Sequence, residues 1–184
     1  MSDGSHDIDP REFVERFGGL KELSEADAGI LLQAMQRLDL PAGKMVIVPG
    51  ELSDAFYFIW SGAVRVGLET AEAVLTVGEF TAGQWIGETS LVDPAPASAS
   101  CTTVADSTLL SLSQEQFTAL RAAHPAISST LLQMLNESLA ERMRRTVRFL
   151  DRGPDSGQLG EGDQRHWLLE ALRRVIGTAA RTAT

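Results

Sequence analysis

PGELSDAFYFIWSGAVRV, residues 49–66, is the stretch on which the fold turns. Phe56, Phe58 and Trp60 alternate with Tyr57 and Ile59, so both phases of a two-residue period are apolar. A strand with that pattern is covered on both faces. Gly50 and Gly62 bracket it at positions that suit tight turns of positive φ. The Ser61-Gly62 pair then leads straight into a second apolar run, AVRVGL, which is the pattern of a hairpin.

Outward from this hairpin the same grammar repeats. Short β-rich runs occur at MVIV (45–48), AVLTV (73–77), ASASCTTV (97–104) and TLLSL (108–112), separated by ETAE, TAGQ, VDPAP and ADS. Regular short strands with turn residues between them predict an antiparallel sandwich, roll or barrel, with no room for crossover helices. Helical signals flank the region. Ser24 is a candidate N-cap for a helix over 24–37 that places Ile30, Leu31, Met35 and Leu38 on one stripe, and Pro41 and Gly43 stop it. Ser113 caps QEQFTALRAA, and Pro125 opens a long helix with Leu132, Leu135, Leu139, Met143, Thr146 and Leu150 at steps of three and four. Ile127, Leu131, Met134 and Val147 widen that apolar surface, so one side can pack on the roll and the other on an identical helix. The expectation is a homodimer through residues 127–150.

The chain is thus expected to be α+β: an antiparallel β-roll, jelly-roll-like, flanked by an N-terminal helix and C-terminal helices. Residues 1–23 are expected to form an arm and 24–150 the domain with its dimer helix. The Gly- and Asp-rich stretch 151–164 reads as a flexible linker. Residues 165–184 hold a short amphipathic helix, RHWLLEALRRVIG, that offers Leu168, Leu169, Leu172, Val175 and Ile176 for burial and needs something to dock on.

Charge narrows the function. The 184 residues carry a formal net charge of −9, unevenly spread. Residues 1–140 hold 7 basic and 19 acidic side chains, and residues 141–184 hold 9 and 6. An acidic body opposes the counterion release that nucleic-acid binding needs, so no nucleic acid is expected as a partner. No apolar run approaches a membrane span, and MSDGSHDIDPREF lacks the basic start and apolar run of a secretory signal, so no membrane partner and a cytoplasmic location are expected. Cys101, the single cysteine, reads as a small buried thiol. His6, His124 and His166 are scattered without metal-ligand spacing. No nucleophile with a base, paired catalytic carboxylates or Gly-rich nucleotide loop is visible, so no enzyme and no catalytic residue are expected.

Residues 20–150 resemble the cyclic-nucleotide-binding domain shared by catabolite-activator-type transcription factors, cyclic-nucleotide-dependent kinases and gated channels. The hairpin stretch is similar to that family's glycine, acidic turn, aromatic strand and second glycine. TAGQWIGETSLVDPAPASASCTTV, residues 81–104, is similar to its phosphate-binding cassette. The resemblance implies a ligand site at Gly87, Glu88, Thr89, Ser98 and Ala99 for a cyclic nucleotide (cyclic AMP or cyclic GMP) or another small anionic ligand. A short helix opening at Gly87 and Glu88 aims backbone N–H groups at an anion. Glu88 can accept from a ribose hydroxyl, Ser98 can donate to a phosphate oxygen, and Ala99 keeps the wall small. The family also caps the base from a C-terminal helix. Trp167 is a candidate for that cap or for anchoring its own helix to the roll, whereas Trp85 is expected to fill the core.

The cassette departs from the family at its most demanding position. Nine residues on from Glu88, where the family supplies an arginine, stands Ala97. A buried phosphate diester keeps its charge and needs a cation. Losing a charge-assisted pair of that kind costs roughly 2–5 kcal/mol, about 30-fold to several-thousand-fold in affinity. Arg65 and Arg121 stand as replacements, although a surface position is the default for both. Two readings stay open. In one, a weak or atypical ligand moves the C-terminal helices and an unidentified protein effector reads the change. In the other, the fold is a ligand-independent interaction or dimerisation subunit. A transcription regulator is a third, less favoured reading: SLAERMRRTVRFL resembles the dimer helix of activator-type proteins, but the 34 residues after it offer one plausible helix, where a helix-turn-helix needs at least two and a basic reading face.

Overall fold

The computed structural model describes residues 8–69 and 74–152. His6, the 153–164 part of the linker, His166, Trp167 and the rest of the C-terminal segment lie outside the described residues. The chain divides into two units, Met1–Leu135 and Asn136–Thr184.

The first unit opens with a helix that the sequence reading took for an arm. In α1 (Pro10–Arg16) the Asp9 carboxylate accepts from the Arg11 N–H, Pro10 takes the first turn, and Glu12 and Arg16 sit at the dipole ends that favour them. A 3-10 turn, Gly18–Leu20, follows. Phe13, Phe17 and Leu20 are fully buried, which is why this short helix holds. The expected helix over 24–37 is shorter: α2 runs Glu25–Gln33, capped by Ser24, whose hydroxyl accepts from the Asp27 N–H. Met35 and Leu38 do not continue its stripe. Residues Gln36–Leu40 form strand β1, because Arg37 and Leu38 pair with Leu110 and Leu109 in a distant strand.

Nine more strands follow: β2 (Met45–Ile47), β3 (Leu52–Ser53), β4 (Ala55–Ser61), β5 (Ala63–Glu69), β6 (Val74–Thr81), β7 (Trp85–Ile86), β8 (Ala95–Pro96), β9 (Ser100–Thr103) and β10 (Ser107–Ser113). Two four-stranded sheets result, in the orders β1-β10-β4-β7 and β2-β9-β5-β6, with β3 and β8 as a separate pair. Every pairing is antiparallel. The chain alternates between the sheets, as a β-roll requires. Gly50 and Gly62 take φ of 78° and 86°, as the turns demand. Three helices complete the described residues: α3 (Glu88–Val92) inside the cassette, α4 (Gln114–Ala123) and α5 (Pro125–Arg152). Ser113 and Gln116 close a reciprocal capping box on α4.

β4 divides the interior, as its two apolar phases imply. Phe56 and Phe58 face the helices, where Phe13, Phe17, Leu31, Leu110, Leu112, Phe117 and Leu131 meet them. Ile59 and Tyr57 face the inside of the roll with Ile47, Val64, Ile86, Cys101 and Leu109. Phe17 and Phe58 are edge-on, with ring centroids 4.6 Å apart, and Trp85 lies against Phe58 at 6.3 Å.

The start of α5 belongs to this core. Ile127, Leu131, Met134 and Leu135 are buried in their own chain, so these four side chains are not available to the dimer contact expected over 127–150. Burial against the roll and helices satisfies the stripe first. In the second unit the helix continues to Arg152, beyond the expected linker start at residue 151, with Glu141 and Arg144 paired at 3.6 Å and Met143 exposed. Among the described residues no helix is long and apolar enough to cross a membrane, and no group of three His, Cys, Asp or Glu side chains could hold a metal ion.

Candidate functional site

The cassette begins where β7 leaves β4, with Ile86 opposite Tyr57. Gly87 then caps α3 in the left-handed region, at φ 79° and ψ 21°. A Cβ there would stand 2.7 Å from the Ala55 carbonyl oxygen and 3.4 Å from Ile47 Cδ1, so both conformation and space call for glycine. α3 has five residues and turns Leu91 into the helical core. Glu88 is buried, whereas Thr89 on the next position is exposed. The Ser90 hydroxyl donates to Ser53 Oγ at 2.8 Å, which ties α3 to the turn before β4.

That turn also holds the second half of the cassette. β8 pairs with β3, Leu52 opposite Pro96 and Ser53 opposite Ala95. The Ala97 N–H donates to the Glu51 carbonyl at 2.8 Å, and the Gly50 N–H donates to the Ala97 carbonyl at 2.8 Å. Ala97 is half-buried against the core inside the roll. Ser98 is exposed and Ala99 half-buried, and the chain re-enters the sheet at Ser100, whose hydroxyl donates to the Gly67 carbonyl. Gly87 thus lies against Ile47, Ala55 and Tyr57, Ala97 is bonded to Gly50 and Glu51 and packs on the cluster that contains Ile47, and Thr89 and Ser98 are exposed.

The electrostatics are acidic. Burial pushes the Cys101 thiol up to about 12, and the Glu88 carboxylate adds to the shift. Tyr57 is raised by burial, then by Asp54 and Cys101. A cavity of about 90 Å³ opens beside them, lined by Val46, Ile47, Val48, Glu51, Leu52, Ser53, Asp54 and Tyr57. None of the five expected cassette residues lines it, and neither does Ala97. Its charged members are carboxylates only.

The two arginines weighed as replacements lie elsewhere. Arg65 alternates with the inward Val64 on β5, is half exposed, and pairs with Glu79 at 3.5 Å. Arg121 is exposed in the last turn of α4. Sequence reasoning missed the 50–53 turn as a partner of the cassette. Gly50 marked a turn, but no local signal announces a backbone pairing with Ala97 more than forty positions away.

Residues 37–124 match the family model described as "Cyclic nucleotide-binding domain", spanning β1 to the end of α4. The chain is 31% identical over 138 residues to the CRP-like cAMP-activated global transcriptional regulator of Mycobacterium tuberculosis, covering 73% of this chain and 59% of that protein. It is 34% identical over 125 residues to the cyclic AMP receptor protein of Thermus thermophilus, covering 65% and 56%. The chain thus spans a little under three-fifths of the length of these relatives. A solved cyclic nucleotide-binding domain from Methylobacillus flagellatus superposes with a TM-score of 0.70 at 25% identity, covering 82% of this chain and 88% of that one. Two antiparallel sheets closing on a glycine-capped cassette helix, together with these matches, identify residues 37–124 as a cyclic nucleotide-binding domain.

Proposed function

We propose that this domain is a non-catalytic regulatory module whose cassette does not hold cyclic AMP or cyclic GMP tightly. The observation that carries the reading is Ala97: a methyl group packed on the roll's apolar interior stands where the family's phosphate partner belongs. The surrounding Glu51, Asp54 and Glu88 supply no positive charge for a phosphate diester, and Arg65 is engaged by Glu79 on the outside of the roll. The loss of roughly 2–5 kcal/mol from such a contact moves a site of about one micromolar to between about thirty micromolar and a few millimolar. Calorimetric titration with cyclic AMP and cyclic GMP to millimolar concentration tests this, backed by thermal melting. Binding no tighter than about thirty micromolar is expected, with little or no shift in Tm at micromolar nucleotide. A dissociation constant near or below about ten micromolar overturns the reading and makes the module an ordinary cyclic-nucleotide sensor.

A second reading, a ligand-independent subunit joined as a homodimer, draws on the later part of α5. Met143 is 69% exposed, and Leu139, Met143 and Leu150 repeat at helical steps. A contact through residues 136–150 fits the sequence pattern once residues 127–135 are assigned to the core. The two readings are compatible. Sedimentation of the full chain tests the second, and a monomer at tens of micromolar overturns it.

A further inference from the structure

Four strands end the two larger sheets: β1 and β7 in one, β2 and β6 in the other. Three of these edges are blunted in the ways that keep sheets from adding strands. β1 carries the Arg37–Asp39 ion pair at 3.0 Å, β6 carries Glu79 paired with Arg65 at 3.5 Å, and β7 has only two residues. β2 differs. It pairs with β9 on one side, and among the described residues no strand pairs with the other. Met45 and Val48 are exposed along it and Leu52 just beyond it. The display is held rigidly, because the Glu51 N–H donates to the Val48 carbonyl at 3.2 Å and Leu52 pairs with Pro96. The cavity of about 90 Å³ lies alongside, with Val46, Val48 and Leu52 in its lining and Glu51 and Asp54 as its charged members.

We propose that the open edge of β2 takes up an extended segment of a partner protein, added as a further strand, in which apolar side chains alternate with Lys or Arg. Such a segment supplies what this edge lacks: main-chain groups to continue the ladder, apolar cover for Met45, Val48 and Leu52, and cations for Glu51 and Asp54. Pro49 has no N–H to offer, so the ladder is confined to residues 45–48. Charge selects the occupant. A second copy of this chain would bring the same two carboxylates with its own edge, whereas a basic segment meets them with opposite sign. Lys44, the single cation between residues 44 and 54, stands at the other end of the strand and leaves the Glu51 end acidic. The inference concerns a protein partner rather than a nucleotide, and it stands or falls separately from the proposed loss of nucleotide affinity.

The test is an NMR titration of the isotope-labelled full chain with an acetylated and amidated hexapeptide of alternating Arg and Val, beside the same peptide N-methylated at every amide. Saturable shifts in the amides of residues 45–54 are expected at up to about millimolar peptide. Glu51→Lys combined with Asp54→Lys, both at exposed positions, is expected to weaken binding about tenfold, and N-methylation to abolish it. Equal binding of the methylated peptide would reduce the interaction to attraction between unlike charges and overturn strand addition. Absence of shifts, shifts centred on another part of the chain, or self-association of the chain that Val48→Lys abolishes would each overturn the proposal as well. No cyclic nucleotide is present, so the result does not depend on whether the cassette binds one.

Discussion

The Ala97 amide donates to the Glu51 carbonyl at 2.8 Å, and this bond fastens the cassette loop to the turn that precedes β4. The Gly50 amide returns a bond to Ala97, and β8 pairs with β3 alongside. Position 97, where the proposed reading expects the family's phosphate partner, is thereby engaged in backbone pairing, with its methyl group packed on the roll interior. These backbone bonds hold the loop against the turn through the protein's own groups.

Ala97→Arg is therefore the most direct test of the cassette. A guanidinium at the mouth of the site would supply the missing charge-assisted contact, and cyclic AMP affinity is expected to rise by about 30-fold or more. Titration of the variant beside the parent reads the change. Unchanged binding would mean that the loop does not present position 97 to a phosphate.

Gly87→Ala probes the helix start. The substitution meets both a left-handed backbone and the Ala55 carbonyl at 2.7 Å, so a loss of about 2–4 kcal/mol in urea unfolding is expected. Gly43→Ala is the control. Gly43 has a similar φ of 80°, but a Cβ there would meet nothing within 4 Å, so only the backbone cost of about 1 kcal/mol applies. Equal losses at the two positions would show that crowding by Ala55 plays no part.

Phe17→Ala tests whether the N-terminal helix is integral to the fold. Phe17 is fully buried and lies edge-on to Phe58 at 4.6 Å, so truncation is expected to cost about 3–5 kcal/mol by denaturant melting. A loss below about 1 kcal/mol would return residues 10–20 to the status of a detachable arm.

How far the fold was legible can be seen at this helix. β4, β5, β9 and β10 were readable because alternation, Gly62 and the Ser113 cap are local signals. α1 carried an Asp9-Pro10 start, but it spans only seven residues and is stabilised by Phe58 and Leu131, which lie far along the chain. β1 was hidden for a related reason. Met35 and Leu38 fit a helical step, and only pairing with β10 decides for a strand. In the candidate site, Gly87 and the α3 start followed from sequence, whereas the grip of Gly50 and Glu51 on Ala97 is a long-range pairing without a local signature. That Ala97 stands nine residues on from Glu88 was readable from spacing alone. The acidity of the cavity beside it needed the fold, since Glu51 and Asp54 gain their neighbours only when the turn closes.

Cys101 provides the last prediction, and its sign follows from burial. The thiol is neutral when protonated, and burial, reinforced by Glu88, lifts it from the ordinary value of 9.0 to about 12. Its folded pKa lies above its unfolded pKa, so the protonated form contributes stability that is fully present below about pH 9 and is lost as pH rises toward 12. Alkylation at neutral pH is expected to be negligible in the native protein and complete in urea, because the thiolate is the reactive species. Cys101→Ala should flatten the fall in Tm above pH 9 without removing the contribution of Tyr57, which is raised in the same direction. Rapid native labelling at pH 7, or an unchanged alkaline melting profile in Cys101→Ala, would show that the thiol is not held inside the roll beside Glu88.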